Sequence, residues 1–360
     1  MIILKEESLT EDSSFKYLCV LVNKPITILA IESSCDETAA SIVVDGKILS
    51  NFIANQTIHE TYGGVVPELA SRAHMENIVP VVDASIKKAF PELNKQEALA
   101  QLDAIAFTQA PGLIGSLLVG AQFAKSLALS LNKPLISVHH MQAHVLANLI
   151  DSPAPRFPFL CLTVSGGHTQ IVQCNSASDL KIIGETIDDA AGEAFDKIAK
   201  IIGLPYPGGP LMDQLAQEGN PLAFEFAKPS VPDLNYSFSG LKTSVLYFLQ
   251  KQSPDFIENN KADLCASVQY TIVTILLKKL KKAMQETGIK EICIAGGVSA
   301  NSGLRKGIQE LGEKMKANVY LPQFQYCTDN AAMIAIAAHY KYLEGAFDSL
   351  DVTASARSNW

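Results

Sequence analysis

The chain has 360 residues, of which 48% are hydrophobic and 18% charged; this excludes a disordered protein and predicts about two folded domains. Its formal net charge of −8 excludes a generally basic nucleic-acid-binding protein, so any RNA contact needs a local basic patch or a partner. The seven cysteines are scattered without a CxxC pair, which is typical of reduced cytoplasmic thiols and not of a disulfide framework.

Residues 1–25 are interpreted as a poorly structured leader. Their apolar stretch at 17–22 follows four acidic residues, whereas a secretory signal has a basic start and a longer apolar stretch. No apolar run reaches the roughly 20 residues that cross a bilayer. We therefore expect no membrane association, a cytoplasmic location and a folded part that begins near Ile26.

The first half of the chain alternates predicted strands and helices. The second and third strands are joined by Asp45-Gly46, a strong hairpin signal, and a long helix follows with apolar residues at helical spacing. The predicted strands are 26–31, 39–44, 47–54, 102–108 and 135–138, and the predicted helices are about 67–90, 115–131 and 140–150. This alternation predicts an α/β sheet.

Residues 151–158 contain three prolines in eight positions and are predicted to be a boundary. Beyond them the opening plan of strand, tight turn, strand and strand occurs again. The predicted strands there are 159–164, 168–174, 180–187 and 291–295, with helices near 189–202, 239–252, 260–287, 299–311 and 329–344. Two facing lobes would enclose a cleft floored by turns whose N–H groups suit phosphates. Periodicity alone does not distinguish this duplication from two unrelated α/β domains.

A metal site is suggested by His140 and His144, whose four-residue spacing puts both rings on one helical face. Three of the seven histidines lie within residues 139–144, and Asp329 offers a carboxylate near the far end of the chain. Two histidines and one aspartate leave coordination positions open, as a catalytic zinc or iron requires. The plainer alternatives are two histidines at a helix start, and an N-cap at Thr328 or Asp329.

Glycine turns supply candidate phosphate sites at Ser165-Gly166-Gly167 and at 295–303. The chain has neither a GxGxxG fingerprint nor a GxxxxGK[ST] loop, which excludes a standard dinucleotide or P-loop site. Acidic residues beside these turns can accept from ribose or hold a cation, although caps and solvated charges are the commoner roles. They are Glu32, Asp36, Glu37, Asp188, Asp189, Asp196 and Asp213.

A lysine run on one predicted helix is a candidate RNA contact, although a solvated helix face is the commoner role of such a run. The basic residues concerned are Lys278, Lys279, Lys281 and Lys282, together with Lys242 and Arg72.

Ten segments in order resemble the TsaD family, the tRNA N6-adenosine threonylcarbamoyltransferases. The segments are IESSCDETAAS, YGGVVPELASRAH, TQAPGLIGSLLVG, VHHMQAH, LTVSGGHTQIV, IDDAAGEAFDKIAK, YPGGP, FSGLKT, AGGVSAN and CTDNAAMIA. The resemblance covers nearly all of residues 26–345. It implies the α/β fold of actin, Hsp70 and sugar kinases (ASKHA), with two ribonuclease-H-like lobes around a central cleft. We expect lobes at 26–156, joined by the final helix at about 329–345, and at 157–328.

The resemblance also implies roles for individual residues. His140, His144 and Asp329 would hold one divalent metal ion per subunit, with iron favoured and zinc the alternative. The phosphate and ribose of an adenylate would lie along Thr163, Val164, Ser165, Gly166 and Gly167. Asp196, Gly209 and Asp213 would hold the ribose side, and Asn301 would lie against the adenine.

The implied reaction transfers a threonylcarbamoyl group from threonylcarbamoyl-AMP to N6 of adenosine 37, in tRNAs that read codons starting with adenine, and releases AMP. Asp36, Glu37 and His168 are the candidates for removing the amine proton. TsaB-like and TsaE-like partners are expected, with the helix at about 67–90 as a candidate TsaB contact or as ordinary lobe packing.

The alternatives are a metal-dependent protease, an older label of this family, and an ATP-binding kinase or scaffold of the same fold. A zincin protease has glutamate directly after its first histidine, where this chain has Met141.

Overall fold

The computed structural model describes residues 24–56, 59, 62 and 64–358. The predicted leader at 1–25 therefore lies outside the described residues except for Lys24 and Pro25. From Thr27 onward the described chain forms two five-stranded sheets with helices packed on them, which confirms the predicted α/β class.

The first sheet has the strand order β3-β2-β1-β4-β5. Strands β1 to β3 form an antiparallel meander, and β4 and β5 continue the sheet parallel to β1. Their bounds are Thr27–Glu32 (β1), Thr38–Val44 (β2), Lys47–Ala54 (β3), Ala104–Ala110 (β4) and Leu135–His139 (β5). Asp45 and Gly46 both have positive φ, 46° and 78°, as the tight turn predicted between β2 and β3 requires.

The second sheet repeats this plan, with the order β10-β9-β6-β7-β8. Its first three strands are again antiparallel, and β9 and β10 run parallel to β6. Their bounds are Phe159–Val164 (β6), Thr169–Cys174 (β7), Leu180–Glu185 (β8), Glu291–Ala295 (β9) and Asn318–Tyr320 (β10). The sheets thus share one topology, which confirms the duplication read from the sequence.

Ten α-helices are present in the described residues. Their bounds are Pro67–Ala89 (α1), Lys95–Gln101 (α2), Ile114–Leu131 (α3), His140–Leu146 (α4), Ala191–Ile201 (α5), Gly208–Ala216 (α6), Ser239–Leu249 (α7), Phe256–Thr287 (α8), Ser302–Met315 (α9) and Ala331–Leu343 (α10). Short 3₁₀ turns lie at Ala147–Leu149, Gly297–Ala300 and Phe324–Tyr326. The elements that sequence reasoning missed are the short ones, α2, α6 and β10. Two predicted helices, 140–150 and 299–311, are each part 3₁₀ turn, so α4 ends early and α9 begins late.

The helices cover the first sheet on both faces. Apolar residues of α1 and α3 pack on one face. The last helix, α10, packs on the other, where Ile334 and Ile336 join Ile28 and Val43 in one core cluster. Helix α10 therefore completes the core that the first two strands begin. The exact lobe boundaries stay a prediction.

Helix α4 lies between the two sheets. Ala143 and Leu146 belong to the core that contains α10, whereas Val145 packs with Phe159 and Cys293 of the second sheet. Residues on α4 are thus held from both sides, which limits the movement of any side chain that α4 carries into the cleft.

By length and composition, α3 is the one helix in the described part of the chain that could cross a membrane. Its residues Ala121, Ala124 and Ala128 are buried in the core beside the first sheet. Packing on the sheet accounts for this buried face, whereas Ile114, Leu118 and Leu129 of the same helix are exposed.

A substitution in α10 tests its place in the core. Ile334→Ala removes a fully buried side chain and should lower the free energy of unfolding by about 2–5 kcal/mol, measured by urea denaturation. Leu343→Ala, on the same helix but 59% exposed, is the matched control and should change it by less than about 0.5 kcal/mol. Equal effects of the two substitutions would contradict this packing.

Candidate functional site

The two histidines of the predicted metal site share one face of α4. Strand β5 ends at His139 and α4 begins at His140, so the chain turns from strand to helix at the site itself. The rings of His140 and His144 lie edge to face with centroids 4.7 Å apart, and both are buried. The four-residue spacing therefore produced the predicted juxtaposition.

Asp329 reaches this pair from the segment before α10. Its Oδ1 atom lies 3.0 Å from His144 Nε2 and 3.4 Å from His140 Nε2. The N-cap of α10 is Asn330, whose side chain accepts from the N–H of Met333, so the suggested cap at Thr328 or Asp329 is wrong. Because Asn330 caps the helix, the Asp329 carboxylate is left to face the histidines.

These three side chains fit a divalent metal ion. One candidate ligand atom from each of them lies within 4.8 Å of the others. The set of two imidazoles and one carboxylate suits zinc or iron and leaves positions for a substrate. The site is therefore compatible with a divalent metal.

Charge interactions within the triad are strong. Burial alone would raise the pKa of Asp329, but His140 and His144 outweigh it and hold that pKa far below its usual range. Burial likewise opposes charge on His140, yet Asp329 and Glu32 raise its pKa well above the usual value. The cluster thus attracts positive charge, which a proton or a metal ion can supply.

The loop after β1 brings two of the predicted catalytic residues, Asp36 and Glu37, to the cleft. His74 of α1, fully buried, fixes this loop from behind. Its Nε2 donates to the carbonyl of Cys35 at 3.0 Å, and Thr38 Oγ1 donates to its Nδ1 at 2.8 Å. Helix α1 is therefore tied to the loop after β1.

Glu37 is an unusual carboxyl group in this loop. Burial, with repulsion by Asp329 and Asp36, raises its pKa from 4.5 to about 9. In the metal-free protein Glu37 is therefore protonated at neutral pH.

Two adjoining cavities occupy the cleft, with volumes of about 620 and 640 Å³. The first contains His140 and Asp329, and the second lies beside α6 and α9. Residues that line both are Asp36, Glu37, Gly166, Gly297 and Thr328. A ligand that extends across this shared wall would occupy both cavities.

The turn between β6 and β7 presents backbone to the first cavity, which Ser165, Gly166, Gly167 and His168 line. A Cβ atom placed on Gly166 or Gly167 would meet nothing within 4 Å, so the main chain there faces open space. Thr163 and Val164 are fully buried in β6 and line neither cavity. Their predicted contacts with the adenylate stay a prediction.

The second cavity collects the other predicted substrate residues, Asp196, Gly209, Asp213 and Asn301. Three of these side chains also support its walls. Asp196 accepts from the N–H groups of Gly208 and Gly209 at 3.0 Å each, and so anchors the start of α6. Asp213 accepts from the hydroxyl of Ser302 at 2.6 Å. Asn301 caps α9 through the N–H of Leu304.

His168, the third catalytic candidate, lines the first cavity. Burial, followed by the charges of His140 and His144, lowers its pKa. Its imidazole is therefore neutral at physiological pH.

Sequence reasoning missed several residues of the cavity walls. His59 and Tyr206 line the second cavity, and Ala356, Arg357 and Ser358 of the C-terminal tail line the first. The tail lies outside every recognised motif, so only its position in the fold reveals it.

The lysine run on α8 has a partly structural use. Lys279 Nζ donates to the carbonyls of Val231 and Asp233, and Lys282 Nζ also donates to Asp233. These two ammonium groups hold a neighbouring loop, as well as adding positive charge to the helix.

Two duplicated lobes around a cleft with a histidine–aspartate cluster define an α/β protein of the ASKHA type. Solved structures support this fold. HypF of T. kodakarensis superposes with a TM-score of 0.62 at 16% identity, covering 92% of this chain and 50% of HypF. Component A of the Acidaminococcus fermentans (R)-2-hydroxyglutaryl-CoA dehydratase superposes with a TM-score of 0.51 at 14% identity, covering 88% and 99%. The predicted ASKHA fold is confirmed.

The family follows from sequence comparison. The model of the TsaD family, described as tRNA N6-adenosine threonylcarbamoyltransferase, matches residues 47–336. Enzymes of that name from Christiangramia forsetii and Porphyromonas gingivalis are 58% and 56% identical, each over 93% of this chain, and over 98% and 99% of their own lengths. The chain belongs to the TsaD family. It is a transferase that forms N6-threonylcarbamoyladenosine in tRNA.

Removing one histidine tests the metal site. His144→Ala removes a candidate direct ligand of the metal ion. Loss of a residue that only supports a ligand weakens metal binding roughly 10- to 100-fold, so this substitution should weaken Zn²⁺ binding by more than that. Competition with a chelator measures the dissociation constant. His339→Ala, which removes a histidine of α10 outside the triad, should leave it unchanged. Unchanged binding in His144→Ala would contradict the site.

The raised pKa of Glu37 predicts a pH effect on the metal-free protein. Between pH 4.5 and about pH 9, Glu37 keeps a proton in the folded chain that it has lost in the unfolded chain. The free energy of unfolding therefore falls as the pH rises through this range. Glu37→Gln should flatten this fall, as measured by urea midpoints at about pH 5 and about pH 8.5. Glu76→Gln, which alters an exposed glutamate of α1, should keep the wild-type slope. Identical slopes in Glu37→Gln and the wild type would show that Glu37 titrates normally.

Proposed function

We propose that the donor is threonylcarbamoyl-AMP and that it lies across both cavities. Its AMP would occupy the second cavity, beside Asp196, Asp213 and Asn301, and its threonylcarbamoyl group would extend into the first. The observation that carries this proposal is the wall shared by the cavities at Gly166 and Gly297. At that wall the mixed anhydride would lie against exposed backbone and close to the histidine–aspartate cluster.

The acceptor is proposed to be adenosine 37 of tRNAs that read codons starting with adenine. Its N6 amine attacks the carbamoyl carbon, the bond from that carbon to the phosphate oxygen breaks, and AMP leaves with the bonding electrons. One N6 proton must pass to a base as the new bond forms. The candidate acceptors are Asp36, Glu37 and His168, all of which line the first cavity. Glu37 is protonated in the metal-free protein, so it can accept only once a bound cation has displaced that proton.

Because the donor is already activated, the protein's main task is to position the reactants and to stabilise charge. A divalent ion held by His140, His144 and Asp329 would polarise the carbamoyl or phosphoryl oxygen and neutralise developing negative charge. On the resemblance to the family we favour iron over zinc. The backbone of Gly166 and Gly167 lines the first cavity, whereas the N–H of Ser165 already donates to the carbonyl of His168. The N–H groups of the two glycines would donate to the leaving phosphate.

Binding of tRNA is proposed to depend on partners. A chain of net charge −8 neutralises few phosphates alone. TsaB-like and TsaE-like proteins are the proposed partners. The exposed side chains of Met75 (67%) and Val79 (50%) on α1 offer an apolar contact for the TsaB-like one.

We also propose a cytoplasmic location, where tRNA is modified, and a division into lobes at residues 26–156 and 157–328, with the last helix returning to the first lobe.

Reconstitution tests the proposal. The protein, its partners, synthetic threonylcarbamoyl-AMP and unmodified tRNA should yield N6-threonylcarbamoyladenosine and AMP in equal amounts, detected by mass spectrometry. Each candidate base is removed in turn, by Asp36→Asn, Glu37→Gln and His168→Ala. The variant that loses the true general base should show a kcat about 10²–10⁴-fold lower, and the other two a smaller loss. Asp151→Asn, outside both cavities, is the control.

Two further assays address the alternatives. Chelator-sensitive cleavage of a glycoprotein would favour the protease, and tRNA modification that survives His140→Ala together with His144→Ala would favour a non-catalytic nucleotide-binding scaffold. We do not expect cleavage, because Met141 stands where a zincin carries its glutamate. We do not expect tRNA modification to survive the double substitution, because it removes both candidate metal ligands of α4.

A further inference from the structure

Glu32 is a buried carboxylate that the proposed reaction does not use. It is the last residue of β1 and is 0% exposed. Among the described residues its one charged partner within salt-bridge distance is His140, whose Nδ1 lies 3.1 Å from its Oε2. Because burying a carboxylate is costly unless it is fully hydrogen-bonded, its position needs a physical reason.

Both oxygens of Glu32 are held in place by other donors. Oε2 accepts from the hydroxyl of Thr108 on β4 at 2.7 Å, and Oε1 accepts from the backbone N–H of Ser34 at 2.5 Å. The carboxylate is therefore fixed by two neighbouring segments before it meets the histidine. It has a defined orientation in which one oxygen faces Nδ1 of His140.

This contact determines which nitrogen of His140 carries the N–H group. Nδ1 lies 3.1 Å from Glu32 Oε2 and also 3.1 Å from Ser34 Oγ. An ionised carboxylate can only accept, so Nδ1 is the donor to Glu32. When a metal ion takes the place of the second proton of His140, the imidazole is neutral and carries one N–H group and one lone pair. When Nδ1–H donates to Glu32, the lone pair is on Nε2, the atom that faces Asp329 at 3.4 Å. In many metal sites a carboxylate supports a histidine ligand in this way, fixing its tautomer and its ring orientation.

We propose that Glu32 is a positioning residue for the metal centre, which holds the ring of His140 so that Nε2 points at the ion. This inference rests on the proposed metal site. It assigns the two histidines different support, since Nδ1 of His144 is buried without a hydrogen-bond partner among the described residues. His140 therefore supplies the pre-oriented ligand, and Glu32 is what orients it.

Glu32→Gln is the direct test, because an amide cannot serve all three donors. If its oxygen accepts from His140 and Thr108, its NH₂ group points at the N–H of Ser34. We expect the dissociation constant for Zn²⁺, measured by chelator competition on the full chain, to rise about 10- to 100-fold. Zinc affinity within twofold of the wild type would overturn the proposal.

A second variant guards against misfolding of the first. Thr108→Val keeps the shape of the side chain but removes one of the donors that hold Oε2, so zinc affinity should fall by less than in Glu32→Gln, roughly threefold to tenfold. Ser41→Ala, which deletes a buried hydroxyl bonded to Ser50 in the same sheet, is the control and should not change zinc affinity. An equal loss in Thr108→Val and Ser41→Ala would mean that only general packing is affected.

The ring nitrogen itself provides a readout that packing would not change. In the zinc-loaded wild type, the Nδ1–H proton of His140 should be seen by ¹⁵N–¹H NMR and should exchange slowly with water. In Glu32→Gln this resonance should shift and exchange faster, while the other histidines keep their positions. An unchanged resonance would overturn the proposal. If instead the wild type binds no Zn²⁺ at all, the metal site itself fails.

Discussion

The charge pairing between Asp329 and the histidines of α4 is the interaction on which the site depends. It joins the segment before the last helix to a helix between the two sheets, although 185 residues separate Asp329 from His144. Because the carboxylate and the two imidazoles are buried together, their position favours positive charge, which a proton on His140 or a metal ion can supply. The site is thus compatible with a bound cation.

The packing of α10 is what makes this pairing possible. Because α10 covers one face of the first sheet, Asp329, two residues before α10, is brought close to β1 and α4. Asn330 caps that helix, so the preceding carboxylate is free to turn toward the cleft. The site thus depends on helix capping and core packing as much as on its own ligands.

Outside the histidine–aspartate cluster, most of the charged side chains that line the cleft are acidic. Asp36, Glu37, Asp196 and Asp213 line its cavities, and Arg357 is the one lysine or arginine among the lining residues described. For the nucleotide that we propose, the exposed backbone at Gly166 and Gly167 would take the place of basic side chains. Several of these acids also hold walls, as Asp196 does at the start of α6, so their negative charge is partly engaged by N–H donors.

Much of the fold was predictable because its strands are apolar, β-branched runs bounded by glycine turns, as at β6 and β9. Among the elements that the sequence did not predict, helix α6 and strand β10 were missed for local reasons. Helix α6 begins with Gly208-Gly209-Pro210, residues typical of loops, and it is stabilised by packing on α8 and by the Asp196 anchor. Strand β10 has only three residues, and its partner β9 defines it.

By itself the sequence determined the order of the main strands and helices, the family and the shared helical face of His140 and His144, because these follow from local periodicity and ordered motifs. The family resemblance implied that Asp329 joins them. Only the tertiary structure decided its distances from the two rings, the position of Glu32 behind His140, and the place of the C-terminal tail beside the first cavity. These are contacts between segments far apart in the chain. No local pattern encodes such distances, since they arise from how two sheets and the returning helix pack against one another.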